Sequence, residues 1–317
     1  MITIDRNSYL ESTKSNCLSA AINRFNKAFN NHIQVASITI GMAALPIALA
    51  FPANALQVQM NPQTPRLGDT ISVVVSLDNP ASGSNVTVSV GKDNYTAYEV
   101  APNRYRAFIP TIPLEKPGGR TVIITGGGET KKIPIQVKTR TFKIQRINLP
   151  PGKAGVSATK LELQRATEFR AVRTPEKFWN GAFIKPSNAR MSTPFGVRRY
   201  YNGVFANNYY HRGLDFAGVS GSAVIAPAAG RVVLVGTVKE GFKVHGNVIG
   251  VDHGQGVGSI FMHLKDILVK EGDVVKPGQK IGTVGATGAS TGPHLHWGLY
   301  VNGKSIDPMP WLNGVVE

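Results

Sequence analysis

The feature that most limits this fold is a succession of short β-branched runs split by turn residues. TISVVVSLDN, SNVTVSVG, RYRAFIPTI, RTVIITGG and KIPIQVKT follow one another between residues 56 and 143, with Gly, Pro, Asn and Asp between them. Val, Ile and Thr are stiff at χ1 and suit a pleated surface better than a helix. Runs spaced by about ten residues predict an antiparallel sandwich. The pattern resumes after Ser187 with AVIAPAAGRVVLVGTV, NVIGVDHG and GSIFMHL. EGDVVKPGQKIGTVG reads as two short strands around a Pro-Gly turn. HLHWGLYVNGKSID reads as a strand entering Asn302-Gly303, the strongest two-residue hairpin signal. With 34 glycines, 20 prolines and no long amphipathic pattern after about residue 180, the class is all-β. We expect a β-sandwich-like domain over 56–143, a short helical linker over 144–186 and an antiparallel β domain over 187–317.

The linker opens at Pro150-Pro151-Gly152, which breaks the chain. Ser157 is expected to cap a helix running to about Arg170, with Leu161, Ala166 and Phe169 on one face. Thr174-Pro175-Glu176 is expected to start another turn. Three upstream tyrosines, Tyr95, Tyr98 and Tyr105, fit half-buried strand positions better than a binding face.

The first 55 residues differ in kind. Arg24 and Lys27 precede an apolar run from Ile38 to Phe51, followed by Ala53-Asn54-Ala55. Small residues in that A-x-A spacing are a cleavage signal, and the run is shorter than the roughly 20 residues that span a bilayer. Residues 1–55 are therefore expected to be a signal peptide, or an N-terminal anchor if uncleaved. Export to the periplasm or cell envelope follows, and membrane contact is expected only in the uncleaved case. Cys17, the single cysteine, excludes an intramolecular disulfide and a thiolate metal cage.

The formal charge is +16, unevenly spread. Residues 56–186 hold 19 basic against 9 acidic side chains, and residues 187–317 hold 12 against 8. A basic surface favours polyanions. No nucleic-acid-binding pattern accompanies the charge, so nucleic acid is not expected as a partner and an anionic envelope surface is the better fit.

The chemistry lies in three short segments: HRGLDFAG (His211 to Gly218), FMHL (Phe261 to Leu264) and GPHLHWG (Gly292 to Gly298). His294 and His296 are two apart on an expected strand and so face one side. One can bind a metal while the other points into the cleft beside it. His211 and Asp215, four apart, share a face of a strand or a helix, and Gly213 argues against the helix. His263 is expected on the strand face of Phe261, opposite Ile260 and Met262. A catalytic zinc needs about three protein N or O ligands and an open position, which these five residues can supply. His245 and His253 stand beside glycines and read as loop residues, and His32 lies in the leader.

From Met191 to Leu312 the chain resembles the lysostaphin/LytM-type zinc metallo-endopeptidases of bacterial cell walls. The matching blocks include STPFGVR, HRGLDFAG, APAAGRVV, GNVIGVDHG, FMHL, GDVVKPGQKIGTVGATGASTGPHLHWGL and IDPMPWL. The resemblance implies that His211, Asp215 and His296 bind Zn²⁺ and that His263 and His294 are the catalytic imidazoles. It implies peptidoglycan as partner and the hydrolysis of its stem peptides or cross-links. The alternative it leaves is a non-catalytic LytM-type regulator of another wall hydrolase, a kind of module that typically lacks part of the zinc set. A biotinyl- or lipoyl-type carrier is a weaker alternative, because GDVVKPGQKIGTVG lacks the central modified lysine, in a turn of its own, expected of such a hairpin.

Overall fold

The computed structural model describes residues 56–78, 85–148, 157–314 and 316. The leader, with Cys17 and His32, lies outside these residues, as does Pro150-Pro151-Gly152. Among the described residues no helix is long and apolar enough to cross a membrane.

Upstream, the described residues form eight strands: Gln57–Asn61 (β1), Thr70–Ser76 (β2), Thr87–Val90 (β3), Asp93–Thr96 (β4), Tyr98–Ala101 (β5), Arg104–Pro110 (β6), Gly118–Gly126 (β7) and Glu129–Val137 (β8). They make two antiparallel four-stranded sheets, ordered β1-β2-β6-β5 and β4-β3-β7-β8. Ile71, Val73, Val75 and Ile109 of the first sheet pack against Val88, Val122, Ile124 and Val137 of the second. This is the expected sandwich. Tyr98 is buried, and Tyr95 and Tyr105 pack on the sandwich core.

The connecting stretch holds Ile144–Ile147 (β9) and the helix Lys160–Ala171 (α1). The cap of α1 is Thr159, not Ser157. Its hydroxyl takes the Glu162 N–H while the Glu162 carboxylate takes the Thr159 N–H, a reciprocal capping box. The buried face also differs from expectation: Glu162, Ala166 and Phe169 are buried, and Leu161 is exposed. Thr174-Pro175-Glu176 forms a bend without a helical turn.

The rest of the chain adds Arg190–Thr193 (β10), Arg198–Tyr201 (β11), Val204–Phe205 (β12), Leu214–Ala217 (β13), Ala223–Ile225 (β14), Gly230–Gly236 (β15), Asn247–Gly254 (β16), Val257–Ile267 (β17), Val274–Val275 (β18), Lys280–Val284 (β19), Leu295–Val301 (β20), Lys304–Ile306 (β21) and the short helix Met309–Leu312 (α2). Ten of these strands join one antiparallel sheet whose main path runs β10-β13-β20-β17-β16-β15-β18. The remaining sheet is β12-β11-β9, where β9 and β11 pair in parallel. The Asn302-Gly303 hairpin forms as read, with φ of 48° and 78° and Val301 facing Lys304.

The large sheet has two working faces. On β20, Leu295, Trp297, Leu299 and Val301 enter the main core, which also takes in Phe108, Trp179 and Phe183 from upstream. The alternate residues of β20 face the other way. There Tyr300 and Ile260 pack with Phe169 of α1. Gly250 and Gly258 must be bare for this helix to seat, since a Cβ on either would lie 2.8 and 3.1 Å from the Phe169 ring.

Candidate metal centre

His296 sits on β20 directly opposite Asp215 on β13, so the two side chains leave the sheet on one face. His211 precedes β13 in an extended segment held by its own N–H to Val197 O and by Gly196 N–H to His211 O. Gly213 lets that segment press against β20; a Cβ there would lie 2.3 Å from Trp297 O. The result is a buried group of three possible ligands, His211, Asp215 and His296.

Their donor atoms converge. Asp215 Oδ1 lies 2.9 Å from His211 Nε2 and 2.9 Å from His296 Nδ1, and the two nitrogens are 3.1 Å apart. His211 Nδ1 is 2.8 Å from Pro194 O, so the ring donates there and turns its Nε2 toward Asp215 and His296. A cation at the centre of the three would exchange these mutual contacts for coordination. Tetrahedral donors about 2.0–2.1 Å from zinc lie about 3.3 Å apart, close to this spacing. The charges agree as well. Burial pushes His296 down to about 4, and Asp215 partly counters it. Burial alone would raise the Asp215 carboxyl, but its hydrogen bonds with His211 and His296 outweigh it and hold the group below the usual carboxylate range. Two imidazoles and one carboxylate are a donor set that suits a divalent cation.

Two further imidazoles flank the group. The His263 and His294 ring centroids are 4.8 Å apart, and His263 is 6.3 Å from His296. His294, bridged to Gly285 just before β20, places its Nε2 3.9 Å from Asp215 Oδ1. Each ring is tied through Nδ1 to a backbone carbonyl, His263 to Thr287 O at 2.9 Å and His294 to Gly292 O at 2.9 Å. Both therefore keep Nε2 as the available nitrogen. Burial, then His294 and His296, push His263 down to about 3, so it is neutral near pH 7.

Residues 209–308 match peptidase family M23. This segment is an M23 domain. A Pseudomonas aeruginosa protein assigned to peptidase M23 has a solved structure that aligns over 80% of this chain and 96% of its own, at TM-score 0.58 and 29% identity. That alignment extends well upstream of the matched domain. Peptidoglycan DD-endopeptidase ShyB of Vibrio cholerae is 32% identical over 171 residues, which is 54% of this chain and 39% of ShyB. Murein hydrolase activator NlpD of Escherichia coli is 41% identical over 102 residues, 32% of this chain and 26% of NlpD. The chain thus spans less than half the length of these relatives.

The M23 domain brings together all five side chains singled out in the sequence, and one arrives by an unexpected route. Plain alternation would send His263 into the core beside Phe261. Instead β17 bulges: Asn247 pairs with Leu264 and Ile249 with Phe261, so Met262 and His263 oppose Val248 alone. His263 takes φ of 63°, which turns its ring back to the side of His296. His253 differs from its reading too. It lies fully buried in β16, between Ala229 O and the Ser259 hydroxyl at 2.8 Å each. Sequence reasoning missed Arg199 on β11, whose guanidinium is 2.8 Å from Tyr209 OH and 3.9 Å from Asp215 Oδ2. No local pattern marked it. It also missed Glu162, although Thr159-x-x-Glu162 is a capping-box spacing visible in the sequence.

Proposed function

We propose that this chain is an exported zinc metallo-endopeptidase that hydrolyses stem peptides or cross-links of bacterial peptidoglycan. The observation that carries the reading is the joint presence of the His211–Asp215–His296 group and two imidazoles whose Nε2 atoms are left available beside it. Zinc held by the three residues would supply Lewis acidity and a bound water with a pKa lowered to about 7.

The chain's own residues do the rest. His263, kept neutral by burial, and His294 are placed to take a proton from the attacking water and to return one to the leaving amine, at their Nε2 atoms. Their Nδ1–H bonds to Thr287 O and Gly292 O fix ring orientation and tautomer, so neither ring must reorganise as charge develops. Once it has taken the proton, either ring also offers an Nε2–H to an oxyanion. The substrate class rests on the resemblance and on ShyB, a named peptidoglycan endopeptidase. The basic surplus of residues 56–186 fits attraction to an anionic wall polymer.

A second reading, an activator of another wall hydrolase, is favoured by the likeness to NlpD. The filled set of five residues supports hydrolysis over it. The test is direct. The metal-loaded chain is incubated with defined cross-linked muropeptides and the products are read by mass. Cleavage that a chelator abolishes and zinc restores is expected. A metal-loaded chain that releases nothing, yet accelerates a second hydrolase, would establish the activator.

A further inference from the structure

We propose that Glu162, on the linker helix upstream of the M23 domain, is a positioning residue for His263. The proposal rests on the peptidase reading above for its kinetic consequence, but not for its structural one.

Glu162 is fully buried. Its carboxylate collects three consecutive backbone amides of one loop. Oε1 takes Val244 N–H at 3.0 Å and His245 N–H at 2.6 Å; Oε2 takes Lys243 N–H at 3.1 Å. The His245 Nδ1 adds a 2.5 Å contact to Oε1. Consecutive amides aimed at one point make an anion-binding nest, and a buried carboxylate is tolerable when so fully hydrogen-bonded. Docking the helix needs none of this. Thr159 Oγ1 already bonds Gly241 O at 3.0 Å, and Phe169 fills the apolar seat.

What the loop carries explains the arrangement. The very residue whose amide Glu162 holds, His245, offers its carbonyl to the His263 N–H at 2.9 Å. Val244 O takes Ala289 N–H at 3.0 Å, and Asn247 N–H bonds Thr287 Oγ1 at 2.9 Å. Thr287 O in turn receives His263 Nδ1. The two loops touch through glycines, since a Cβ on Gly288 would lie 2.4 Å from Gly246 N. Glu162 therefore anchors the loop that fixes His263 at its main chain, and that braces the loop fixing its ring.

His263 needs such fixing. Its φ of 63° is a left-handed conformation that a non-glycine residue keeps only when its surroundings over-determine it. Relaxation to ordinary strand geometry would turn the ring toward the face of Phe261 and away from His296. Residues 160–171 fall outside the family match at 209–308, so the linker helix supplies part of the scaffold that the domain itself lacks.

The experiment uses the full chain with Glu162→Gln, Glu162→Asp and Thr159→Ala. Glu162→Gln sets an amide NH2 against backbone donors and should release the loop. Expected are unchanged zinc stoichiometry, KM on a soluble cross-linked muropeptide within about twofold, and kcat down by about 10- to 100-fold, the scale of a small misplacement. Faster amide exchange at His263 and Ala289 and a shifted His263 ring resonance should accompany it. Glu162→Asp keeps the charge and should recover part of kcat. Thr159→Ala loosens the helix cap without removing the carboxylate, so its kcat should stay within about twofold.

Wild-type kcat in Glu162→Gln with unaltered His263 exchange overturns the proposal. So does a Thr159→Ala loss as large as that of Glu162→Gln, which would make helix docking alone responsible. If Glu162→Gln does not fold, Glu162→Asp decides by the same readouts. If the wild type itself hydrolyses nothing, the peptidase reading falls, while His263 exchange and ring resonance still decide what Glu162 does.

Discussion

The upstream sandwich and the M23 sheet are made of the same β-branched strands, yet they bury different chemistry. Between its sheets the sandwich packs aliphatic side chains, with Ile71, Val73, Val75, Val88, Val122, Ile124 and Val137 at its centre. The M23 domain buries His211, Asp215, Asp252, His253, His263 and His296 as well. Burying a titratable group costs several kcal/mol unless it is paired, hydrogen-bonded or metal-bound. An all-β layer gains nothing in stability from such groups that aliphatics would not give. The contrast marks where the chain has accepted that cost for chemistry. It also separates two kinds of burial inside the M23 domain: His253 is satisfied at both ring nitrogens by Ala229 O and Ser259, while His263 and His294 are tied to backbone carbonyls through Nδ1 and keep Nε2 available.

The strongest test of this contrast is at the metal centre. Asp215→Ala removes the only anion among the three ligand-type residues and leaves two buried imidazoles facing each other. Zinc should fall from one per chain to near none and hydrolysis should vanish, as read by metal analysis and muropeptide products. Full zinc in that variant would place the metal elsewhere. The next largest effect belongs to the flanking rings. His263→Ala and His294→Ala should each keep zinc but lose about 10²–10⁴-fold in kcat, the usual contribution of a general acid or base. Wild-type turnover in either would remove that ring from the chemistry. On the upstream side, Ile71→Ala should cost about 2–5 kcal/mol of stability by denaturant titration, as large-to-small core changes do. Zinc per folded chain should not change. A metal loss there would show that the two regions are not chemically distinct.

Much of this contrast was legible in the sequence, for physical reasons. Strand alternation and turn chemistry act over a few residues, so the sandwich runs and the Asn302-Gly303 hairpin could be read locally. Ligand types can be read as well, because few side chains hold zinc. The relations that cross the chain were not legible. The bulge at His263 depends on how β17 meets Val248 of β16. The burial of Glu162 depends on amides some 80 residues away, so a helix face read by hydrophobicity chose exposed Leu161 instead. Glycine neighbours made His253 resemble a loop residue, although Gly254 is required there for another reason: a Cβ would lie 1.7 Å from Glu176 O. The parallel pairing of β9 with β11, which carries Arg199 toward Asp215, has no local signature at all.

A finer test of the contrast uses pH. Burial lowers His253 from 6.5 to about 4, with the Ala229 carbonyl countering weakly. The folded chain therefore keeps this ring neutral, while the unfolded chain protonates it below about pH 6.5. The associated stability is present above that pH and is lost as pH falls toward the folded value. Between about pH 6.5 and pH 5 the loss should be about 2 kcal/mol, since one proton bound only by the unfolded chain costs about 1.4 kcal/mol for each pH unit crossed. His253→Gln, which can still donate to Ala229 O, should lose about that much less than the wild type over the same interval in denaturant titrations. The metal-centre rings are present in both proteins, so the difference isolates His253. Equal acid losses in the two would mean that His253 is not held neutral, and that its burial differs less from that of the sandwich than its contacts indicate.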